Sequence, residues 1–199
     1  MLSDLGIGRL IDECARAGTP LIHPAPDSQQ LQPASVDLRL GTEFKQYTRP
    51  LGDITRSEPM RLDRPVDPKW FQSFEGSEFL LLPNQFTLAT TVETVCMPVT
   101  HAAQVEGRSS LGRRGLIVHA TAGFIDPGFR GQITLEMLNL SPRPILLTAG
   151  MRICQLTFYK MDERVMRPYG HEGLRSKYQG QSGATPPKAD KEETQDGER

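Results

Sequence analysis

The sequence predicts an all-β domain of the distorted-barrel or jelly-roll type, and three observations support this fold class. Short stretches rich in β-branched residues recur at regular spacing along the chain. Turn residues such as Pro83-Asn84 and Asp126-Pro127-Gly128 separate these stretches. The length of 199 residues suits one domain with a sizeable core.

A short N-terminal helix precedes the predicted strands. Ser3 and Asp4 are residue types that cap helices, and Gly18-Thr19-Pro20 would end the helix. The apolar residues between these signals fall largely on one side at helical spacing: Leu5, Ile7, Leu10, Ile11 and Cys14. We expect this helix to pack as a lid on the sheet, and not to contribute to a site.

Eight segments are predicted as strands, and most are short and rich in β-branched or apolar residues. In chain order they are residues 21–24, 35–41, 79–82, 86–95, 116–120, 132–138, 145–147 and 152–158. Segment 35–41 alternates with period two, so it should have one apolar face. Asp37 and Arg39 fall on the opposite face, where they could form a cross-strand charge pair.

Two regions are predicted to lack strands. Residues 48–76 are polar and proline-rich, which predicts an excursion loop at the sheet edge and not a second domain. After Tyr159 the composition becomes charged and glycine-containing. We therefore expect a single domain over residues 1–187, in which 169–187 form a flexible C-terminal arm, and a disordered charged tail over 188–199.

Composition excludes several classes of protein. The formal net charge of −1 lacks the basic excess of a general nucleic-acid binder. Cys14, Cys96 and Cys154 share no C-x-x-C spacing, which predicts three reduced, buried thiols and neither disulfides nor a structural zinc site. The N-terminus does not resemble a signal peptide, and no apolar run is long enough to span a membrane. A cytoplasmic location is expected.

A dense polar cluster at residues 108–114 is the strongest candidate for a binding site. It places arginines and serines between glycines, and such groups suit the oxygens of a phosphate chain: Arg108, Ser109, Ser110, Arg113 and Arg114. Downstream, the carboxylates of Asp126 and Glu136 lie in apolar turn or strand sequence. Taken singly, the polar cluster also fits a solvated loop, Asp126 a turn residue, and Glu136 a solvent-facing position on a half-exposed strand.

The order of several separated motifs changes this assessment. The motifs are S-V-D-L-R-L-G at 35–41, G-R-S-S-L-G-R at 107–113, T-A-G-F-I-D-P-G-F at 121–129, G-Q-I-T-L-E at 131–136, A-G-M at 149–151, Q-L at 155–156 and K-Y-Q-G-Q at 177–181. Together they resemble the trimeric dUTPase superfamily and, within it, the dCTP deaminase branch, over about residues 3–187. Ala149 stands where the family usually has proline, which is a small departure in one turn.

The resemblance implies hydrolytic removal of the cytosine 4-amino group of dCTP. Glu136 would act first as base and then as acid. The H-x-E and P-C-x-x-C motifs of zinc deaminases do not occur here. Ser109 and Arg113 are therefore expected to take over the polarising role of the metal, Ser109 and the backbone carbonyl near Ala122 positioning the water and Arg113 orienting Glu136.

The resemblance also implies a nucleotide site and an assembly. The residues expected to bind the nucleotide are Arg108, Ser109, Ser110, Leu111, Gly112, Arg113, Asp126, Thr134, Leu135, Glu136, Gln155, Tyr169, Lys177 and Gln181. Mg²⁺ should arrive with the triphosphate, held mainly by phosphate oxygens and water. A homotrimer is implied, with segment 35–41 near a subunit interface, and dTTP is a candidate feedback inhibitor.

Gly123 and Phe124 bear on the product. Relatives that only deaminate tend to have a bulkier His-Arg pair there, whereas a Gly-aromatic pair is typical of bifunctional relatives that form dUMP and diphosphate. The sequence therefore favours a dUMP-forming enzyme. The alternatives are a deaminase that stops at dUTP and a catalytically silent nucleotide-binding regulator, while a plain dUTPase is less favoured because it needs no base at Glu136.

Overall fold

The computed structural model describes residues 1–48, 60, 62 and 66–188. Strands dominate, so the predicted all-β class is confirmed. The helices are α1 (Asp4–Arg16) and α2 (Ser109–Gly112), with 3-10 turns at Pro68–Trp70 and Glu172–Leu174. The strands are β1 (Ile22–His23), β2 (Leu31–Gln32), β3 (Ser35–Tyr47), β4 (Phe71–Glu75), β5 (Glu78–Leu81), β6 (Phe86–Cys96), β7 (His101–Gly107), β8 (Leu116–Ile117), β9 (Phe124–Ile125), β10 (Arg130–Asn139), β11 (Ile145–Thr148) and β12 (Arg152–Lys160).

Most strands of the described chain form one curled antiparallel sheet. Its order is β8-β10-β6-β3-β12-β7-β9, with β1 paired to β6 and with β2 and β4 paired to β3. A separate ribbon joins β5 to β11. The core lies inside the curl, and its largest buried side chains include Phe44, Phe158, Leu135 and Met137. Apolar burial of this kind is the main stabilising contribution.

Strand β3 is longer than predicted, and its polar face is not exposed. It pairs with β6 on one side and β12 on the other, and Asp37 is only 2% exposed. Asp37 and Arg39 do form cross-strand charge pairs, but with separate partners. Arg39 Nε contacts Glu93 Oε1 at 2.7 Å, while Asp37 faces two other arginines.

Helix α1 confirms the predicted N-terminal helix. Ser3 caps it by accepting a hydrogen bond from the Gly6 N–H at 3.4 Å. Ile7, Leu10 and Cys14 are buried, as their spacing predicts. Leu5 is 74% exposed, so its assignment to the apolar face was wrong.

The structure corrects several strand assignments. The predicted excursion loop contains β4, which pairs with β3, and its remaining residues lie largely outside the described range. Strand β7 was missed because its sequence, H-A-A-Q-V-E-G, has few β-branched residues, although β12 and β9 flank it. The predicted strand 116–120 ends at Ile117, after which the chain turns toward β9.

Smaller predictions had mixed outcomes. The predicted strand at 79–82 is observed as β5, in which Leu80 is 53% exposed because β5 belongs to the two-stranded ribbon. Cys14 and Cys154 are buried free thiols, whereas Cys96 is only half-buried. Within the described residues, no helix is long and apolar enough to cross a membrane. Apart from Lys188, the predicted disordered tail lies outside the described residues.

Candidate active site

A cavity of about 290 Å³ opens between the sheet and the C-terminal arm. Its polar lining includes Asp126, Thr134, Glu136 and Gln181, and its aromatic lining includes Phe124, Phe129, Tyr169 and Tyr178. Aromatic and aliphatic walls with a few convergent polar groups are typical of small-molecule sites. The cavity is therefore the candidate active site.

Glu136 is half-buried in this cavity. Its neighbours Leu135 and Met137 are both fully buried, and strand alternation turns Glu136 to the opposite face of β10. Its Oε2 accepts hydrogen bonds from the N–H groups of Ala120, at 3.2 Å, and Thr121, at 3.4 Å. These contacts hold one carboxylate oxygen against the loop after β8.

Asp126 lies in the tight turn that follows β9. Its backbone carbonyl accepts a hydrogen bond from the Phe129 N–H at 3.1 Å. Burial raises the pKa of the Asp126 carboxyl above its usual value. The Phe129 ring packs edge-on against Tyr169, with 5.6 Å between ring centroids, so the turn and the arm are in direct contact.

A second, cationic cleft adjoins the cavity and shares Asp126, Tyr169 and Tyr178 with it. It has a volume of about 460 Å³, and its lining includes Arg167, Arg175 and Lys177. Positive side chains beside a nucleoside-sized cavity suit an anionic part of a ligand. Lys177 lines this cleft and does not line the cavity itself.

Arg108, the first residue of the polar cluster at 108–114, belongs to a separate group of charged residues. Arg108 precedes α2, and its Nε lies 3.3 Å from Asp37 Oδ2, while its Nη1 donates to the Arg152 carbonyl at 2.9 Å. Arg152 Nη1 also lies 3.2 Å from Asp37 Oδ2. Neither contact to Oδ2 has hydrogen-bond alignment, so they are ion pairs. Burial raises the pKa of the Asp37 carboxyl, and the two arginines partly offset this.

Gln155 joins this second group through strand β12. Its Nε2 donates to the Gly107 carbonyl at 3.1 Å, and its Oε1 accepts from Ser35 Oγ at 2.8 Å. Arg108 and Gln155 thus lie on one side of the sheet, each held by residues that the sequence did not single out as site residues. Asp37 and Ser35 gave no separate signal, because an alternating strand explains both equally well.

The structure divides the predicted site residues between these places. Five of the predicted nucleotide-binding residues line the cavity: Asp126, Thr134, Glu136, Tyr169 and Gln181. Ser109, Ser110, Gly112 and Arg113 lie on α2 or its C-cap, outside the cavity, and are exposed. The Leu111 and Leu135 side chains are buried in the core. Within one chain, Ser109 and Arg113 are therefore not brought into the cavity of Glu136.

The cavity also contains residues that were not predicted. Phe129 and Tyr178 belong to motifs noted in the sequence, and their aromatic character was the available signal. Thr185 and Pro187 line the cavity from the far end of the arm, where composition alone predicts only flexible chain. Across the described residues, no cluster of three or more His, Cys, Asp or Glu side chains is arranged to hold a metal ion.

The curled sheet and the position of the cavity define a class, the β-barrel proteins of the dUTPase-like fold. The solved 2′-deoxycytidine 5′-triphosphate deaminase from Agrobacterium tumefaciens is similar, with a TM-score of 0.56 and 25% identity. The match covers 79% of this chain and 46% of that chain. The chain belongs to the dCTP deaminase-like family, whose model matches residues 2–161.

Two relatives illustrate the similarity in sequence. The protein named "dCTP deaminase, dUMP-forming" from Dictyoglomus thermophilum is 46% identical over 189 residues, covering 93% of this chain and 92% of its own length. The protein named "dCTP deaminase" from Natronomonas pharaonis is 49% identical over 185 residues, covering 92% and 91%. The resemblance inferred from the motifs is therefore confirmed over nearly the whole chain.

Proposed function

We propose that this protein is a dCTP deaminase that also releases diphosphate, so that its product is dUMP. The observation that carries the proposal is the Glu136 carboxylate, half-buried in the cavity and held by the Ala120 and Thr121 N–H groups. A fixed carboxylate beside an aromatic-lined cavity suits proton transfer to and from a bound pyrimidine ring. The names of both relatives indicate deamination of dCTP, and the name of the relative from Dictyoglomus thermophilum also indicates dUMP as the product.

In the deamination step, Glu136 moves protons while water replaces the amino group. The carboxylate takes a proton from water as its oxygen adds to ring C4, and passes that proton to ring N3. It then moves the proton of the new hydroxyl to the amino group. The C4–N bond breaks, ammonia leaves and a C4 carbonyl remains. The two N–H donors keep Oε2 oriented throughout, which leaves Oε1 for the reacting atoms.

Gly123 supports the dUMP-forming activity. A Cβ added there would lie 2.9 Å from the Val105 carbonyl oxygen and 3.0 Å from Cε1 of His119, so a larger residue requires this loop to shift. Phe124, 60% exposed, lines the cavity beside it. We infer that the compact loop leaves room for a second water, which attacks the α-phosphorus and breaks its bond to the oxygen that joins the α- and β-phosphates. Diphosphate then leaves.

Within one chain, the predicted catalytic residues Ser109 and Arg113 lie apart from Glu136, which supports an active site shared between two subunits. Ser109 and Arg113 are exposed on α2, while Glu136 lies in the cavity of the same chain. We propose that α2 of one subunit completes the cavity of a neighbour, in a homotrimer. Closed rings of identical subunits use one kind of interface repeatedly, so each subunit would give one loop and receive one. Arg113 would then orient Glu136, and Ser109 would position the attacking water.

The remaining contacts concern the triphosphate. We propose that the triphosphate is bound by Lys177 of the cationic cleft together with Arg108, Ser109, Ser110 and Gln155. We also propose that the Asp126 carboxylate accepts a hydrogen bond from the deoxyribose 3′-hydroxyl. Mg²⁺ would arrive with the substrate, held mainly by phosphate oxygens and water. dTTP has the same sugar and triphosphate, and we propose it as an inhibitor. We also propose a cytoplasmic location.

The second candidate function is a deaminase that stops at dUTP. It is favoured by the relative from Natronomonas pharaonis, whose name does not specify dUMP. Incubation with dCTP and Mg²⁺, followed by ion-exchange chromatography and an ammonia assay, separates the two. dUMP and diphosphate without accumulating dUTP support the proposal. dUTP as the end product favours the alternative, and no turnover of dCTP or dUTP favours a nucleotide-binding regulator.

A further inference from the structure

One face of β10 presents three half-buried side chains in a row: Gln132, Thr134 and Glu136. They share this face because side chains alternate along a strand. Gln132 Oε1 accepts a hydrogen bond from the Gly183 N–H at 2.8 Å, and Thr134 Oγ1 accepts one from the Thr185 N–H at 3.3 Å. The face that carries Glu136 therefore also holds the C-terminal arm, residues 169–187.

Gln132 forms hydrogen bonds through both the Nε2 and the Oε1 atoms of its side-chain amide. On the sheet side, its Nε2 donates to the carbonyl of Thr91, a fully buried residue of β6, at 2.8 Å. On the arm side, Oε1 accepts from Ser182 Oγ at 3.2 Å as well as from Gly183. The donor contact fixes the amide orientation, so the acceptor oxygen must face the arm. The side chain is a bridge between the sheet and the arm.

The backbone reinforces this bridge. The Gln132 N–H donates to the Gln181 carbonyl at 3.1 Å, and Gln181 Nε2 donates to the Gln132 carbonyl at 2.7 Å. Gly131 and Gln181 form a parallel β-bridge. A Cβ at Gly131 would lie 2.9 Å from the Gln181 carbonyl oxygen, so the glycine allows this close approach. The arm thus pairs with β10 in the manner of an added strand.

We propose that Gln132 is a positioning residue that docks the arm over the cavity of its own chain. Gln132 acts through the arm, because the cavity wall includes Gln181, Thr185 and Pro187 of the arm and does not include Gln132 itself. The inference rests on the proposed function, since it assigns the docked arm a part in holding dCTP over Glu136. Without the bridge, the arm loses the contacts at Ser182 and Gly183. It then also loses the register against β10 that places Gln181, Thr185 and Pro187 in the cavity wall.

The test replaces Gln132 with methionine, which has a similar length and no amide. The matched control is Gln85→Met, because Gln85 is also half-buried and accepts from a backbone N–H, that of Leu82 at 2.9 Å, in the turn between β5 and β6. Hydrogen exchange of backbone amides is measured without nucleotide. In Gln132→Met, exchange at Gly183 and Thr185 should rise by about tenfold or more, while β6 and the β10 amides that bond to β6 keep their protection.

Kinetics give the second readout. KM for dCTP should rise by about tenfold in Gln132→Met with a smaller change in kcat, because the lost contacts hold the closed arm. Ser182→Ala, which removes only the 3.2 Å contact, should show a smaller effect, and Gln85→Met none. Gly131→Ala should also accelerate exchange in the arm, since it displaces Gln181 sterically without altering the Gln132 side chain.

Two outcomes would overturn the proposal. Unchanged protection of Gly183 and Thr185 in Gln132→Met would show that the arm docks without this bridge. Equal loss of protection in β6 would show that Gln132 is merely part of the sheet core. The exchange experiment needs no catalysis. A parent protein that turned over neither dCTP nor dUTP would therefore end the proposed function, while the exchange result would still support or overturn the docking role.

Discussion

The buried carboxylate of Asp37 and the guanidinium of Arg108 form an ion pair, with 3.3 Å between Oδ2 and Nε. Asp37 lies in the middle of the sheet on β3, whereas Arg108 immediately precedes α2. A carboxylate buried in this way is costly unless cations face it, and Arg152 supplies the second one at 3.2 Å. The pair connects the core of the sheet to the segment proposed to bind the triphosphate.

Loss of Arg108 should therefore destabilise the protein. Arg108→Ala leaves Asp37 with one cationic partner, and we expect the free energy of unfolding to fall by about 1–3 kcal/mol, since Arg108 is partly exposed. Arg114→Ala is the control, because Arg114 is exposed, and should change it by less than about 0.5 kcal/mol. Urea unfolding measures both. Equal losses in the two variants would contradict the role of the pair.

Glu136→Gln should remove deamination and leave binding intact. The glutamine amide keeps the shape of the side chain, and its oxygen can still accept from Ala120 and Thr121. It cannot take a proton from water, so ammonia release should fall by about 10²–10⁴-fold or more. Calorimetric titration with dCTP and Mg²⁺ measures binding. Glu75→Gln, an exposed carboxylate on β4, serves as the control and should keep full activity.

Mixing two inactive variants tests the shared site. Subunits with Glu136→Gln keep α2 intact, and subunits with Arg113→Ala keep the carboxylate intact. After denaturation and refolding together in equal amounts, about a quarter of all sites should combine two intact halves, because subunits assort at random. Recovery of about that share of parent activity would support the proposal. Recovery of no activity in trimers proven to be mixed would indicate sites built from single chains.

The pH dependence of KM should report on Asp126. Partial burial raises the pKa of its carboxyl, so protonation begins at a higher pH than for a fully solvated aspartate. As the pH falls through that pKa, the carboxylate loses its charge and holds the 3′-hydroxyl less well, and KM for dCTP should rise. Asp126→Asn should have a raised KM without this acid limb. The substrate phosphates titrate equally in both proteins, so the variant isolates the Asp126 contribution.

Folding stability should fall as the pH drops below the usual pKa of histidine. His101 is buried on β7, and burial together with nearby Lys160 lowers its pKa, while Glu13 acts in the opposite direction. The unfolded chain then binds more protons than the folded chain between the two pKa values, so stability rises with pH across that window and is lost on acidification. Urea midpoints at several pH values measure this. His101→Gln should flatten the profile in that window.

Local sequence signals accounted for much of the fold. Helix α1 has a capping serine and helical apolar spacing, and β10 alternates polar and apolar residues from Gln132 to Met137, so both were predicted close to their observed bounds. Strand β7 carries weak signals of its own and was missed, because β12 and β9 stabilise it from either side. β4 was likewise missed, since its pairing partner β3 lies across a long polar segment.

The candidate site likewise contains residues that could be predicted from the sequence and residues that could not. Glu136 and Asp126 could be recognised from motifs, because a carboxylate in an apolar strand or turn is unusual by itself. The groups that orient these carboxylates could not be recognised from the sequence. Ala120 and Thr121 present only backbone N–H groups to Glu136, and backbone groups carry no sequence signal. Thr185 and Pro187 reach the cavity only because the arm folds back along β10.

By itself the sequence determined the fold class, the family and the residue types available for chemistry, because periodicity, turn residues and motif order are properties of neighbouring positions. Only the tertiary structure decided which groups meet. Pairing of strands far apart in the chain buries Asp37 against Arg108, returns the arm to Gln132, and leaves Ser109 and Arg113 outside the cavity of Glu136. Contacts between distant segments depend on register and packing across the whole sheet, which no local pattern specifies.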